Sequence, residues 1–153
     1  MKINDFIKRI VMKIYFAGSV RGGREDVERY NKIIVFLKTY GEVLTEHIGD
    51  NNLSSKGQAQ FSDKYIHDRD LKWLRNSDVL IAEVTLPSLG VGYEIGIATS
   101  EKTPIIALFK NNTKKRLSAM ISGSESIRVI EYSEVEELFS KLDDMLNKIE
   151  FQL

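Results

Sequence analysis

The sequence contains no cysteine. That excludes a disulfide scaffold, a thiolate zinc site, an iron–sulfur cluster and a cysteine nucleophile at once, and it fits a reducing compartment. Net charge is absent too, since 22 basic residues balance 22 acidic ones, whereas nucleic-acid binders normally carry a basic surplus. Residues 110–116 hold four basic side chains, and 131–150 hold seven acids against two lysines. Both stretches are polar and read as solvated surface. Apolar runs such as Val79–Ala82 fall far short of the roughly 20 residues a membrane helix needs. The opening MKINDFIKRIVM has neither the apolar core nor the small-residue cleavage site of a secretory signal. Two histidines without Glu-x-x-His spacing give a metal site no support. No GxSxG elbow, internal repeat or low-complexity stretch is present. These absences lead us to expect a cytoplasmic protein with no nucleic-acid or membrane partner and no metal.

What is there suits one folded unit. The chain has 153 residues, the length of one ordinary domain, and can bury enough surface for a core without staples. Short β-rich runs alternate with helical patterns. KIYFA (13–17) reads as the first strand, followed by a glycine-rich loop. A helix over 25–40 follows, with Val27, Tyr30, Ile34 and Leu37 on one face and Gly41 as its stop. EVLTEH (42–47) reads as the second strand, and 63–76 as a helix. DVLIAEVT (78–85) is a continuous apolar strand suited to a parallel sheet covered on both faces. A helix over 91–102 and strands over 103–109 and 126–132 come next. The last helix carries Val135, Leu138, Leu142, Met145 and Ile149 as its stripe, with Ser133 and Glu136 at capping-box spacing. The expected fold is α/β: an open five-stranded parallel sheet with helices on both faces, in a flavodoxin-like or Rossmann-like order. Ligands of such sheets bind beyond the carboxyl ends of the strands.

Two loops at that edge can hold an anion. Gly18-Ser19-Val20-Arg21-Gly22-Gly23 lets backbone approach a ligand closely, and Arg21 offers a fork-shaped donor for phosphate. The spacing matches neither the dinucleotide nor the Walker pattern. Ser88-Leu89-Gly90-Val91-Gly92 precedes a helix in the same way, with Glu94 read into that helix's first turn. Asp70 shares a helix face with Ile66, Trp73 and Leu74, a costly place for a carboxylate without a task or partner. Asp68 and Arg69 read as surface. Glu83 lies in an apolar run near a strand end, where reaching solvent is the simpler reading. His47 follows the second strand at the same edge.

Three stretches together resemble one family. Tyr15-Phe16-Ala17-Gly18-Ser19-Val20-Arg21-Gly22-Gly23-Arg24-Glu25-Asp26 resembles the opening of the 2′-deoxynucleoside 5′-monophosphate N-glycosidases, of the nucleoside 2-deoxyribosyltransferase-like superfamily. Ala82–Thr85 with Pro87–Glu94 is similar to their central motif. Leu117-Ser118-Ala119-Met120-Ile121 is similar to a segment contributed across a dimer, and LTEH at 44–47 and HDRDLKWL at 67–74 fit as well. The likeness runs from about Lys13 to Tyr132. It implies Glu94 as nucleophile, Asp70 as the carboxylate assisting the departing base, and Tyr15 as the phenol orienting the nucleophile. It implies a 5′-phosphate pocket of Ser19, Arg21, Ser88 and Gly90, with Ser118 from the second subunit of a homodimer. Gly18, Gly22, His47 and Met120 complete the implied substrate contacts. Residues 12–153 would be the catalytic domain and 1–11 an N-terminal extension peripheral to catalysis. The implied reaction hydrolyses a deoxynucleotide to free base and 2-deoxyribose 5-phosphate, in nucleotide salvage or removal of modified nucleotides, without a cofactor. The alternatives are a deoxyribosyltransferase and a nucleotide-sensing module without turnover.

Overall fold

The computed structural model describes residues 11–20, 24–49, 59–111 and 114–150. The extension predicted over residues 1–11 thus lies outside the described residues except for Val11. Five parallel strands form one sheet in the order β2-β1-β3-β4-β5: β1 Met12–Ala17, β2 Gly41–Val43, β3 Val79–Glu83, β4 Ile105–Lys110 and β5 Ile127–Tyr132. The helices between them are α1 Arg24–Leu37, α2 Asp63–Arg75, α3 Leu89–Ser100, the single turn α4 Ala119–Ser122, and α5 Val135–Glu150. The expected α/β sheet is present, in the flavodoxin-like order.

Alternation along the strands divides the core in two. Ile14, Phe16, Ile81, Ile106 and Leu108 pack with Tyr30, Ile33 and Leu37 of α1 and Leu138, Leu142 and Leu146 of α5. Tyr15, Ala17, Leu80, Ala82 and Ala107 pack on the other face with Leu71 and Leu74 of α2 and Val91, Ile95 and Ala98 of α3. β3 is buried at every position, as a central strand covered on both sides must be. Strand order reverses between β1 and β3, and Ala17 pairs with Ala82 there. The loops after Ala17 and Glu83 therefore leave the sheet side by side, at the crevice where such folds take ligands.

Several boundaries differ from the sequence reading for local reasons. The second strand stops at Val43 because a side chain takes over the ladder. Thr45 Oγ1 accepts from Phe16 N at 2.8 Å and donates to Phe16 O at 2.6 Å. The chain then makes a 3₁₀ turn, Glu46–Gly49. Ser133 and Glu136 form no capping box: Glu137 accepts from Ser133 N at 3.0 Å, and the Ser133 hydroxyl donates to Asn111. Gly41 does not stop α1, which ends at Leu37; it opens β2. A Cβ there would lie 2.0 Å from the Met12 carbonyl oxygen.

That contact generates a stability prediction. Gly41→Ala must push β2 off β1, since the obstacle is backbone, and should cost at least the ~1–3 kcal/mol typical of overpacking. Gly96, inside α3, has nothing within 4 Å of a built Cβ. Gly96→Ala should be neutral or gain up to ~1 kcal/mol from helix propensity. Urea midpoints compare the two, and equal midpoints would show that the Met12 contact does not constrain the fold.

Candidate active site

β1 carries Tyr15 on the α2/α3 side, almost wholly buried. Its hydroxyl donates to Glu94 Oε1 at 2.5 Å, joining positions 79 residues apart. Glu94 is placed by the start of α3. Ser88 is extended (φ −143°, ψ 127°), and its hydroxyl oxygen accepts from Val91 N at 3.3 Å, a serine N-cap. Counting from that cap, Glu94 lies in the second turn, so the reading into the first turn is corrected. No acid occupies the first turn. The two glycines there have open space on their Cα side: a Cβ on Gly90 would meet only the Ser88 hydroxyl at 3.8 Å, and one on Gly92 nothing within 4 Å.

α2 supplies Asp70. Ser62 caps the helix by accepting from Tyr65 N at 3.2 Å, and Leu71 and Leu74 bury its apolar face. The Asp70 side chain is 22% exposed. It lies near enough to Glu94 and Tyr15 for its charge to act on both. Burial pushes Glu94 up to about 7, with the Asp70 charge adding to the rise and the Tyr15 hydrogen bond opposing it. Burial also pushes Tyr15 far above the ordinary phenol range, reinforced by the charge on Glu94. The proton of this pair therefore belongs to Tyr15, which donates. At Glu94, burial outweighs the hydrogen bond from Tyr15.

The remaining predicted residues fall around this pair unequally. Gly18 and Ser19 follow β1, and Ser19 is buried. A Cβ on Gly18 would lie 3.0 Å from the Tyr30 ring, so glycine lets the loop start pack against α1. Arg21 and Gly22 lie outside the described residues. His47, in the 3₁₀ turn, is half-buried with its ring 5.7 Å from Trp73, which follows Asp70 on α2. Ser118 is the N-cap of α4, its hydroxyl accepting from Met120 N at 3.3 Å. Ser118 and Met120 line a groove of about 810 Å³ that also holds Ser88 and Leu89. Tyr15, Asp70, Glu94 and His47 do not line it. Leu89 is 97% exposed and Met120 83%, so the groove has apolar rims.

Two residues were misread from the sequence. Arg69 is not surface: its side chain is 14% exposed and its Nε donates to Asp70 Oδ1 at 2.8 Å. Its one sequence signal is an aromatic residue four positions away on each side, Tyr65 and Trp73. Glu83 does not reach solvent; it is fully buried. It accepts from the Thr85 hydroxyl, from Tyr132 at 3.1 Å and from Arg29 at 3.5 Å, and Arg29 also pairs with Asp26 at 2.5 Å. Burial pushes Glu83 up, with Arg29 the main opposing influence. Thr85 in turn accepts from Lys110 N at 2.8 Å, tying the ends of β3, β4 and β5 to α1. Among the described residues no cluster of three or more histidines or acids could hold a metal, and no helix is long and apolar enough to cross a membrane.

The chain is similar to known proteins in sequence and in fold. A family model described as nucleoside 2-deoxyribosyltransferase matches residues 14–140. A pike (Esox lucius) protein named 5-hydroxymethyl-dUMP N-hydrolase is 52% identical over 130 residues, covering 82% of this chain and 90% of its own. A zebrafish (Danio rerio) protein of the same name is 49% identical over 142 residues, covering 90% and 99%. A solved CMP N-glycosidase from Clostridium botulinum aligns with TM-score 0.63 at 22% identity, over 86% of this chain and 97% of that one, a likeness of fold. With the family model spanning most of the sequence and relatives at about half identity, the chain belongs to the nucleoside 2-deoxyribosyltransferase family.

Proposed function

We propose that this protein hydrolyses the N-glycosidic bond of 2′-deoxynucleoside 5′-monophosphates, giving free base and 2-deoxyribose 5-phosphate. The observation that carries this reading is the 2.5 Å bond from Tyr15 to Glu94, with Asp70 beside it, at the crevice between β1 and β3. Two relatives named for hydrolysis of a modified deoxynucleotide support the substrate class. Cleavage of such a bond passes through an oxocarbenium-like sugar, which a carboxylate beneath the anomeric carbon stabilises or traps. Glu94 attacks C1′ as the base leaves with the bonding electrons, and Asp70 assists that departure at the base. Water then opens the glycosyl ester and restores the Glu94 carboxylate. Tyr15 keeps its proton and orients Glu94. A carboxyl group titrating near neutrality suits a site that must ionise its nucleophile while burying it.

The 5′-phosphate sits, in this reading, among Ser19, Arg21, Ser88 and Gly90, and supplies binding energy that orients the sugar. Gly18, Gly22 and His47 complete the pocket. A second copy of the chain covers the exposed Leu89 and Met120 and brings its own Ser118 to that phosphate, as the apolar rims suit. Residues 12–153 act as one catalytic domain, with 1–11 peripheral. No cofactor enters the reaction. We place the enzyme in the cytoplasm, on composition alone. A phosphate pocket disfavours the transferase alternative, whose nucleoside substrate carries no phosphate.

A product panel tests the whole reading. Deoxynucleotides should release base, whereas ribonucleotides and unphosphorylated deoxynucleosides should react poorly. A swapped-base nucleoside after adding a free base would point to transfer instead. Arg21→Ala should lower kcat/KM on deoxynucleotides more than tenfold, since a charge-assisted contact contributes roughly 1.5–3 kcal/mol. Equal use of deoxynucleosides and their monophosphates by the wild type would remove the phosphate pocket.

Sharing of the site predicts complementation. Inactive Ser118→Ala and inactive Glu94→Ala subunits, mixed under exchange, should recover activity, because one hybrid site holds both intact groups. A fully active monomer would contradict it.

Titration of Glu94 makes two further predictions. The kcat/KM profile should rise with pH through about 7 as the carboxyl ionises. The raised folded value means the native state holds this proton more tightly than the unfolded chain. Its contribution to stability is therefore complete below about 4.5 and is lost as pH rises through about 7. Glu94→Gln should leave Tm near the wild-type value at low pH and exceed it increasingly toward pH 8. Parallel Tm curves for the two proteins would contradict the burial account.

A further inference from the structure

Neighbouring residues on a helix do not face each other. Arg69 and Asp70 nevertheless meet. Arg69 Nε donates to Asp70 Oδ1 at 2.8 Å, and Nη2 lies 2.7 Å from the same oxygen. An aromatic bed turns the guanidinium inward. Its carbon lies 4.5 Å from the Trp73 ring centre and 5.8 Å from those of Phe61 and Tyr65. Arginine stacks on such faces readily, being weakly hydrated and planar. An exposed ion pair between neighbours would hold neither partner in place. This pair is largely buried, with Arg69 14% and Asp70 22% exposed. The Nε hydrogen bond and the Nη2 ion-pair contact both go to Oδ1, Nη2 making no hydrogen bond of its own, and among the described residues Oδ2 accepts no hydrogen bond.

We infer that Arg69 is a positioning residue, which anchors Oδ1 of Asp70 so that Oδ2 alone meets the substrate beside Glu94. The inference rests on the hydrolase reading and deepens it. Without an anchor the carboxyl group turns about its own bond and presents either oxygen, and small misplacements of a reacting group carry large rate penalties. The groups facing Asp70 are Arg69 on its own helix, Glu94 on α3 and Tyr15 on β1. Arg69 also acts electrostatically on Tyr15, opposing the rise caused by burial and by Glu94 and Asp70. It thus places a cation among three groups that otherwise carry or share negative charge. Arg69 touches no reacting atom in this account; it works through Asp70.

A double-mutant cycle separates this role from a structural one. With a base that leaves poorly, under single-turnover conditions, Arg69→Gln should lower the rate at least tenfold. With a base that leaves easily it should lower it less than threefold. Inhibition by 2-deoxyribose 5-phosphate should stay within twofold, since the phosphate contacts are untouched. In an Asp70→Asn background Arg69→Gln should change nothing further. Arg69→Lys, which keeps the charge but loses the fork, should recover part of the rate. Equal losses for every base, or a full additional loss in Asp70→Asn, would overturn the positioning role. An active wild type that tolerates Arg69→Gln overturns this inference alone. A wild type that releases no base from any deoxynucleotide overturns the hydrolase reading, and this one with it.

Discussion

A carboxylate held out of water needs a donor, and Glu94 is given one by a residue 79 positions away. The architecture around the site follows from bringing those two together. Tyr15 must be on β1, on the face that α2 and α3 cover, one position from Phe16, which packs on the opposite side. α3 must start at Ser88, so that Glu94 comes round in its second turn toward the sheet. β1 and β3 must be in register, because Ala17 opposite Ala82 is what lets the two loops leave the sheet together. A slip of one residue on β1 would send Tyr15 to the α1 side and leave Glu94 buried without a partner. Such a slip costs the core as well as the site, so packing and chemistry specify the same register.

The opposite face of the sheet solves a similar problem differently. Glu83 is more deeply buried than Glu94, yet the Thr85 and Tyr132 hydroxyls and the Arg29 guanidinium meet it from three directions. Removing one member would leave another buried polar group unmet, which costs far more than an exposed pair contributes. That network fastens the ends of β3, β4 and β5 to α1. Glu94 has one hydroxyl donor and a neighbouring carboxylate that opposes its charge. Under the proposed function the contrast is a division of labour: a well-satisfied acid stiffens the rim, and an under-satisfied one is left poised for chemistry.

Periodicity and strand order made the sheet legible from sequence, because parallel strands covered on both faces leave continuous apolar runs. Tyr15, Asp70 and Glu94 were reachable through resemblance, and Asp70 also through its misfit on an apolar helix face. What sequence pattern missed was side-chain substitution for backbone. Thr45 ends β2 by bonding Phe16, and nothing in EVLTEH distinguishes that threonine from a ladder residue. Gly41 looked like a helix stop because the αL cap is the commonest reason for glycine there; the actual reason, the Met12 carbonyl, lies across the sheet. Ser118 starts a helix of a single turn, too short for any period to register.

Arg69 was hidden for a deeper reason. Helical geometry directs consecutive side chains apart, so a rule built on spacing assigns Arg69 to solvent once Asp70 is assigned to the core. The rule fails because a long side chain can double back when something holds its head, and Tyr65 and Trp73 stand one turn to either side to do so. Tyr65 is indifferent in a pattern of apolar spacing and Trp73 reads as one more apolar neighbour, yet both matter as a bed for a cation. The same argument explains why an acid can sit on the apolar face of α2 at all. Asp70 is tolerable there because its counter-charge is carried by its neighbour and buried with it. A strong local conflict with the helix pattern thus resolves into a charge pair whose second member the pattern could not reveal.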